Sequence, residues 1–315
     1  MVPVLASSEG GTASAVTSAG TDFEAQDQRM RERSMRTPGI RGQNGAPVPA
    51  LHPPRKNPDG ADCRGSRYAV AAMNPRRVLV SLRDPTDPMS RQELRCFAES
   101  SGIADLEIAY ASAGQLDDRL MDEAGLLFFG GSGAYSVLDT HPWVQSMLDR
   151  LVETVDRRIP AWASCFGFQG LSLALGGEVN RDDSRQELGA FPVDLTDAAT
   201  ADPLFAHLPR TLDVQLGHHD HVDRLPPGVT LLATGRRVRH QAFKVDAAPF
   251  WAAQFHPELR KATTTERWNY YREHYAGDPA EAARIDAVMA DGPDTEVAQT
   301  IMRRFTAWVE ANPRC

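Results

Sequence analysis

The sequence predicts a three-layer α/β fold: a mostly parallel, doubly wound sheet with helices on both faces. Two observations carry that prediction. From residue 77 onward short apolar runs alternate with longer amphipathic ones, and the first of those runs are apolar on both faces rather than at every second residue. A strand covered by helices on both sides reads that way, whereas a half-exposed strand alternates. Length and composition agree, since 315 residues with 42% hydrophobic side chains are enough to bury a sizeable core.

Residues 1–72 are rich in Gly, Ser, Ala, Pro and Arg and show no apolar periodicity, which predicts a disordered extension. Met73 opens "MNPRRVLVSLRDP", whose apolar run starts five residues in, so Met73 is a candidate biological start and 73–315 the expected folded domain. The elements then follow in order: strand "RVLVSL", a helix over 90–101 with Cys96 on its core side, and strands "LEIAYA" and "GLLFFGG". After them come a helix over 141–157, strand "IPAWA" and helix "FQGLSLALG". In the second half "GAFPVDL", "TLDVQL", "VTLLATG", "HQAFKV" and "PFWAAQFH" are spaced like hairpins, and polar amphipathic helices fill about 263–311 within an extension over 261–315. No internal repeat is visible.

Composition narrows the function. The formal net charge is −8 and no basic block occurs, which argues against nucleic acid or an anionic membrane surface as partner. No apolar run approaches the length of a membrane span, and the N-terminus lacks a basic stretch followed by an apolar core, so the expected location is cytoplasmic. Four cysteines, Cys63, Cys96, Cys165 and Cys315, form no C-x-x-C pair, which fits neither a disulfide framework nor a zinc site.

The chemistry concentrates in three strand ends. "IPAWASCFGFQGLSLALGG" puts Cys165 in the turn between a strand and a helix, with small residues two positions away on each side, Ala163 and Gly167. Such a turn lifts a side chain above the carboxyl edge of the sheet, close to a helix N-terminus whose free N–H groups favour a thiolate, and the N–H of Phe166 can donate to an oxyanion. A buried structural cysteine fits the same turn. "WAAQFHPEL" ends a strand in His256, with Glu258 two residues on and Pro257 stiffening the peptide between them. A carboxylate there fixes the tautomer of the imidazole, the orienting role in a Cys-His-acid triad. "LLFFGGSGAYSV" ends at Gly130 and Gly131, glycines that let backbone approach a substrate and make Gly131 a candidate second oxyanion donor. No phosphate-binding glycine motif occurs at this turn.

Together and in this order the three elements resemble the class I (triad) glutamine amidotransferases, over about residues 77–260. "ASCFGFQGLSLALGG" is similar to that family's nucleophile elbow, "QFHPE" to its base-and-acid signature, and "FGGSGAYSV" to its G-G-P-x-S oxyanion loop. "GHHDHVDRLPPG" resembles the S-H-G-D-x-V-x-x-L-P-x-G stretch of the GMP synthetase type, and "QELGAFPVDLT" the family's E-x-G-x-x-x-V-x-L-T strand. The resemblance implies a flavodoxin-like fold and hydrolysis of the glutamine γ-amide to glutamate and ammonia. It implies Cys165 as nucleophile, His256 as base, Glu258 as acid, and Gly131 and Phe166 as oxyanion donors. Gln169, Gly130 and His218 fall beside the substrate, and no metal or cofactor is implied. The sequence departs from the pattern at Ala163-Ser164, Ser132, Gly217 and His219.

Since the chain carries no pyrophosphatase-type S-G-G-x-D-S loop, the expected partner beyond glutamine or a γ-glutamyl small molecule is a separate synthetase subunit. Two alternatives stand: a self-sufficient γ-glutamyl peptide or amine hydrolase, and a non-catalytic binding or regulatory protein that keeps the fold. His218, His219 and His221 form an H-H-x-H cluster that is expected to line the cleft or cap a turn rather than hold a metal. The aromatic residues of "RWNYYREHY" are expected to pack a helix on the sheet.

Overall fold

The computed structural model describes residues 75–313, and the reading of 1–72 as a disordered extension, with Met73 as start, lies outside the described residues. The first half supplies strands β1 (Arg76–Ser81), β2 (Glu107–Tyr110), β3 (Ala124–Phe129) and β4 (Ala161–Ser164). Helices α1 (Met89–Ser101), α2 (Asp118–Glu123), α3 (Pro142–Asp156) and α4 (Phe166–Ala174) connect or follow them. Strands β5 (Glu178–Arg181), β6 (Glu187–Leu195), β7 (Thr211–His218), β8 (Asp220–Arg224), β9 (Val229–Thr234), β10 (His240–Val245) and β11 (Phe250–Ala253) come next. Three helices close the chain: α5 (Lys261–Tyr275), α6 (Pro279–Asp291) and α7 (Glu296–Ala311).

Nine strands form one sheet in the order β2-β1-β3-β4-β11-β10-β9-β6-β7, and β5 pairs with β8 in a separate ribbon. The five strands from β2 to β11 are parallel, as their unbroken apolar runs require, and β10, β9, β6 and β7 extend the sheet by antiparallel pairing. This is the α/β architecture read from the sequence, with its hairpin-spaced second half forming the antiparallel wing. The β5–β8 ribbon has no counterpart in the sequence reading. Its strands are short and polar, with only Val179 buried in β5, so no apolar period marks them.

Side chains of the parallel strands alternate between two cores. Val80, Phe129, Ala161 and Ala163 pack with α3 and α4 through Met147, Leu151, Phe168 and Leu171. Leu79, Phe128, Trp162 and Trp251 pack on the other face with α1 and α7 through Phe97, Ile301 and Phe305. The helix ends follow local chemistry. Gly102, at φ 77°, closes α1 in the left-handed conformation that glycine adopts without a Cβ clash. The side chain of Asp278 accepts the Glu281 N–H ahead of Pro279 in the first turn of α6. Among the described residues no helix is long and apolar enough to cross a membrane.

Candidate active site

The topology brings the three strand ends together. β3, β4 and β11 are adjacent and parallel, with Phe129 opposite Ala163 and Ala253 opposite Ser164. The residues after each strand, Gly130-Gly131, Cys165 and His256, therefore emerge side by side at one carboxyl edge, although Cys165 and His256 are ninety-one positions apart in the chain. The N–H of Cys165 donates to the Ala253 carbonyl at 2.8 Å, which ties the elbow directly to the histidine strand.

Cys165 sits at φ 50°, ψ −103°, a conformation that costs a non-glycine residue about 1–3 kcal/mol and persists only where the surroundings impose it. The small neighbours have steric reasons. A Cβ on Gly167 would stand 2.9 Å from Phe129 Cβ and 3.1 Å from Ala163 Cβ, so neither position has room to grow. The thiol is buried, its S–H facing the Gly217 carbonyl at 3.7 Å, and the Phe166 N–H lies near enough to favour the thiolate.

His256 is fixed from behind. Its Nδ1 lies 2.6 Å from Glu258 Oε1, the Ser164 hydroxyl donates to Glu258 Oε2 at 3.0 Å, and the Trp162 indole donates to Ser164 Oγ at 2.9 Å. A carboxylate this close assigns the proton to Nδ1 and leaves Nε2 as the basic nitrogen. Burial raises the Glu258 carboxyl, but His256 and Arg267 outweigh it and hold the group below its ordinary range, ionised at neutral pH. A Cβ placed on Gly131 would lie 2.8 Å from His256 Cε1 and 3.6 Å from Cys165 Cβ; glycine there leaves base and thiol a common space.

The sequence model of the class-I glutamine amidotransferase family matches residues 92–271, more than half of the chain. The chain belongs to that family. Among its relatives, the glutamine-hydrolysing GMP synthase of Xanthomonas axonopodis pv. citri is 38% identical over 112 residues, 34% of this chain and 21% of that protein. The chain thus spans about a fifth of the length of that relative. A single subunit of the glutamine-hydrolysing GMP synthase from Pyrococcus abyssi is 28% identical over 144 residues, 45% of this chain and 70% of that one. The crystal structure of a glutamine amidotransferase from Thermotoga maritima matches with TM-score 0.55 and 22% identity, covering 74% of this chain and 99% of that one. A glutamine amidotransferase structure from Methylobacillus flagellatus matches with TM-score 0.57 and 17% identity, covering 74% of this chain and 94% of that one. Both share the fold.

Four features of the site lay beyond the sequence reading. First, the lowering of the thiol pKa at the helix N-terminus is outweighed. Burial, then the Asp220 and Glu258 charges, push Cys165 up to about 12, against smaller opposing effects of Arg83 and the Phe166 N–H. The sulfur rests as a thiol at neutral pH and depends on a base. Alkylation by iodoacetamide, read at the Cys165 peptide, is therefore expected to quicken with every step in pH beyond about 9, and a plateau below about pH 8 would contradict this.

Second, Gly131 and Gly130 are engaged by the protein. The Gly131 N–H donates to Glu93 Oε1 at 3.0 Å, and Glu93 is a fully buried carboxylate on α1 that Arg83 and Arg267 flank at 3.4 and 3.7 Å. A Cβ on Gly130 would meet that carboxylate at 2.7 Å, and Gly130 donates to the Val80 carbonyl and accepts from the Gly167 N–H. Gly130 therefore makes room for Glu93. In this conformation the Phe166 N–H faces the sulfur and the Gly131 N–H is occupied.

Third, both His218 ring nitrogens have protein partners, Nδ1 meeting the Asp220 carbonyl at 3.0 Å and Nε2 meeting Glu187 at 3.1 Å. The Gln169 side-chain amide donates to the Asp220 carbonyl at 2.7 Å and to Gln254 at 3.2 Å. The other two histidines of the cluster part company, His219 pairing with Asp183 and His221 with Asp223.

Fourth, the aromatic residues of α5 do more than pack the sheet. Trp268, Tyr271 and Tyr275 line a cleft, partly open to solvent, whose wall includes His256, Ser132, Gly133 and Gly217. Their positions, 268, 271 and 275, share one helix face, a pattern legible in the sequence whose use only the tertiary structure reveals. Tyr275 stacks on His219 with centroids 4.9 Å apart, and burial followed by the Cys165 thiol pushes its phenol upward.

Proposed function

We propose that this amidotransferase hydrolyses the γ-amide of a glutamyl substrate by acyl transfer through Cys165. The observation that carries the reading is the junction of β4 and β11, where a buried thiol at a strained elbow meets a histidine held by a buried carboxylate. His256 Nε2 takes the thiol proton as sulfur attacks the γ-carbonyl. The Phe166 N–H donates to the developing oxyanion, and Gly131 joins it once its N–H leaves Glu93. When the tetrahedral intermediate collapses, the C–N bond breaks and His256 gives its proton to the departing nitrogen, leaving a glutamyl thioester. Water, deprotonated by His256, then attacks the thioester; the C–S bond breaks, glutamate leaves, and the proton returns to the thiol. Glu258 stabilises the imidazolium at both stages.

The Pyrococcus relative is named as one subunit of a GMP synthase, which supports a separate synthetase chain receiving the ammonia. A second reading, a self-sufficient hydrolase, is supported by the cleft, because α5 and α6 of this same chain wall it through Trp268, Tyr271, Tyr275 and Met289. Glutamate release by the full chain without any partner tests the reaction: cysteine-dependent release supports it, and its absence for every glutamyl amide overturns it.

A further inference from the structure

Resting on the reading that Cys165 and His256 cleave a γ-glutamyl amide, we propose that the amide nitrogen of the preferred substrate carries an uncharged aromatic group. The substrate class is a γ-glutamyl aryl or arylalkyl amide, and the cleft beside His256 receives its amine portion.

Position comes first. His256 forms part of the cleft wall, and it is the group that hands a proton to the departing nitrogen, so a substituent on that nitrogen leaves the thiol on this side. Ammonia would need only the His256 end of this cleft, whose lining continues through Trp268 and Tyr271 to Met289. The wall is chiefly apolar, formed by Leu188, Leu216, Trp268, Tyr271, Tyr275 and Met289. It is also fixed before any ligand enters. The Trp268 indole donates to Asp286 at 2.7 Å, and the Tyr271 hydroxyl is held between Arg83 and Asp87. With two of the aromatic polar tips engaged elsewhere, ring faces and aliphatic ends are left toward the cleft.

Charge selects further. The cationic side chains on the wall are Arg83 and Arg267, and no carboxylate lines it among the described residues. Both arginines are paired behind the wall, Arg83 with Asp87 and Glu93 and Arg267 with Glu93, so an amine portion with a second ammonium group finds no carboxylate on the wall to pair with. The charged glutamyl end has a different place to go. Asp220 is buried, its Oδ2 accepts the Ser136 hydroxyl at 2.5 Å, and its Oδ1 has no hydrogen-bond partner. It lies near enough to the thiol to raise its pKa but is not part of the apolar wall, so it is the group available to an α-ammonium. Asp220 and Tyr275 of the aromatic cleft thus both lie near the thiol.

The test compares kcat/KM of the full chain for glutamine, L-γ-glutamyl benzylamide and the L-γ-glutamyl amide of a linear diamine. The benzylamide is expected to exceed both others by at least about tenfold. Met289→Trp and Leu188→Trp, each filling the cleft from a different element, are expected to cut the benzylamide-to-glutamine ratio by about tenfold or more in whichever variant keeps the wild-type circular dichroism. Calorimetry on Cys165→Ala measures binding of the intact benzylamide against glutamine without chemistry, and tighter benzylamide binding is expected. Cysteine-dependent turnover with glutamine or the diamine amide matching the benzylamide, or a ratio that a folded filling variant leaves unmoved, overturns the aromatic assignment while leaving the thiol reading intact. Cleavage that survives Cys165→Ala, or no cleavage of any amide, overturns the thiol reading; the calorimetric comparison then decides the cleft, equal or absent binding overturning it.

Discussion

Cys165→Ala is expected to fold and to release no glutamate, with the rate of γ-amide hydrolysis down by at least about 10⁴-fold. The size of the loss follows from the chemistry. Without the sulfur there is no acyl acceptor, and what remains is an imidazole and two backbone donors that cannot form the covalent intermediate. Folding survives because the elbow is imposed by the backbone rather than the side chain. The Cys165 N–H is bonded to the Ala253 carbonyl at 2.8 Å and its carbonyl accepts the Gln169 N–H at 2.9 Å, so alanine meets the same strain under the same restraints. Full activity in this variant would remove the cysteine from the mechanism.

The second large effect is on stability. Phe305→Ala is expected to destabilise the fold by about 3–5 kcal/mol, the range for truncating a buried phenylalanine. Phe305 is fully buried on α7, with its ring 5.6 Å from Phe128, 6.0 Å from Trp251 and 6.5 Å from Trp162. Those three sit on β3, β11 and β4, the strands whose ends carry Gly131, His256 and Cys165. A helix outside the family match thus braces the three site strands from beneath. Thermal unfolding checks this, since each kcal/mol lowers the melting temperature by about 2–4 °C in a domain of this size. A change below about 1 kcal/mol would show that α7 is dispensable to the core.

Much of this was legible in the sequence because the strongest signals were also the ones that position the site. Unbroken apolar runs at 124–129, 161–164 and 250–253 required a sheet buried on both faces, and the residues just beyond each run were the chemical ones. Small residues at 163 and 167 anticipated the crowding at the elbow, and the H-P-E spacing anticipated the bond between His256 and Glu258. What stayed hidden was electrostatic and long-range. A helix N-terminus suggests a lowered thiol pKa, but how deeply Cys165 is buried, and how near Asp220 and Glu258 lie, depends on the folded chain, and these outweigh the helix. Nothing local marks Glu93 as the acceptor of the Gly131 N–H, because the contact joins α1 to the end of β3. The aromatic residues of α5 were visible as a helix face; that the face turns to the cleft depends on where α5 docks.

The most direct test of the central claim is the mass of the acyl-enzyme. Wild-type chain mixed with a γ-glutamyl amide, quenched in acid during turnover and digested, is expected to yield the Cys165 peptide heavier by one glutamyl acyl group, in a bond that hydroxylamine cleaves. Turnover with that peptide unmodified at every quench time, and with the rate unchanged in Cys165→Ala, would contradict covalent catalysis at this thiol.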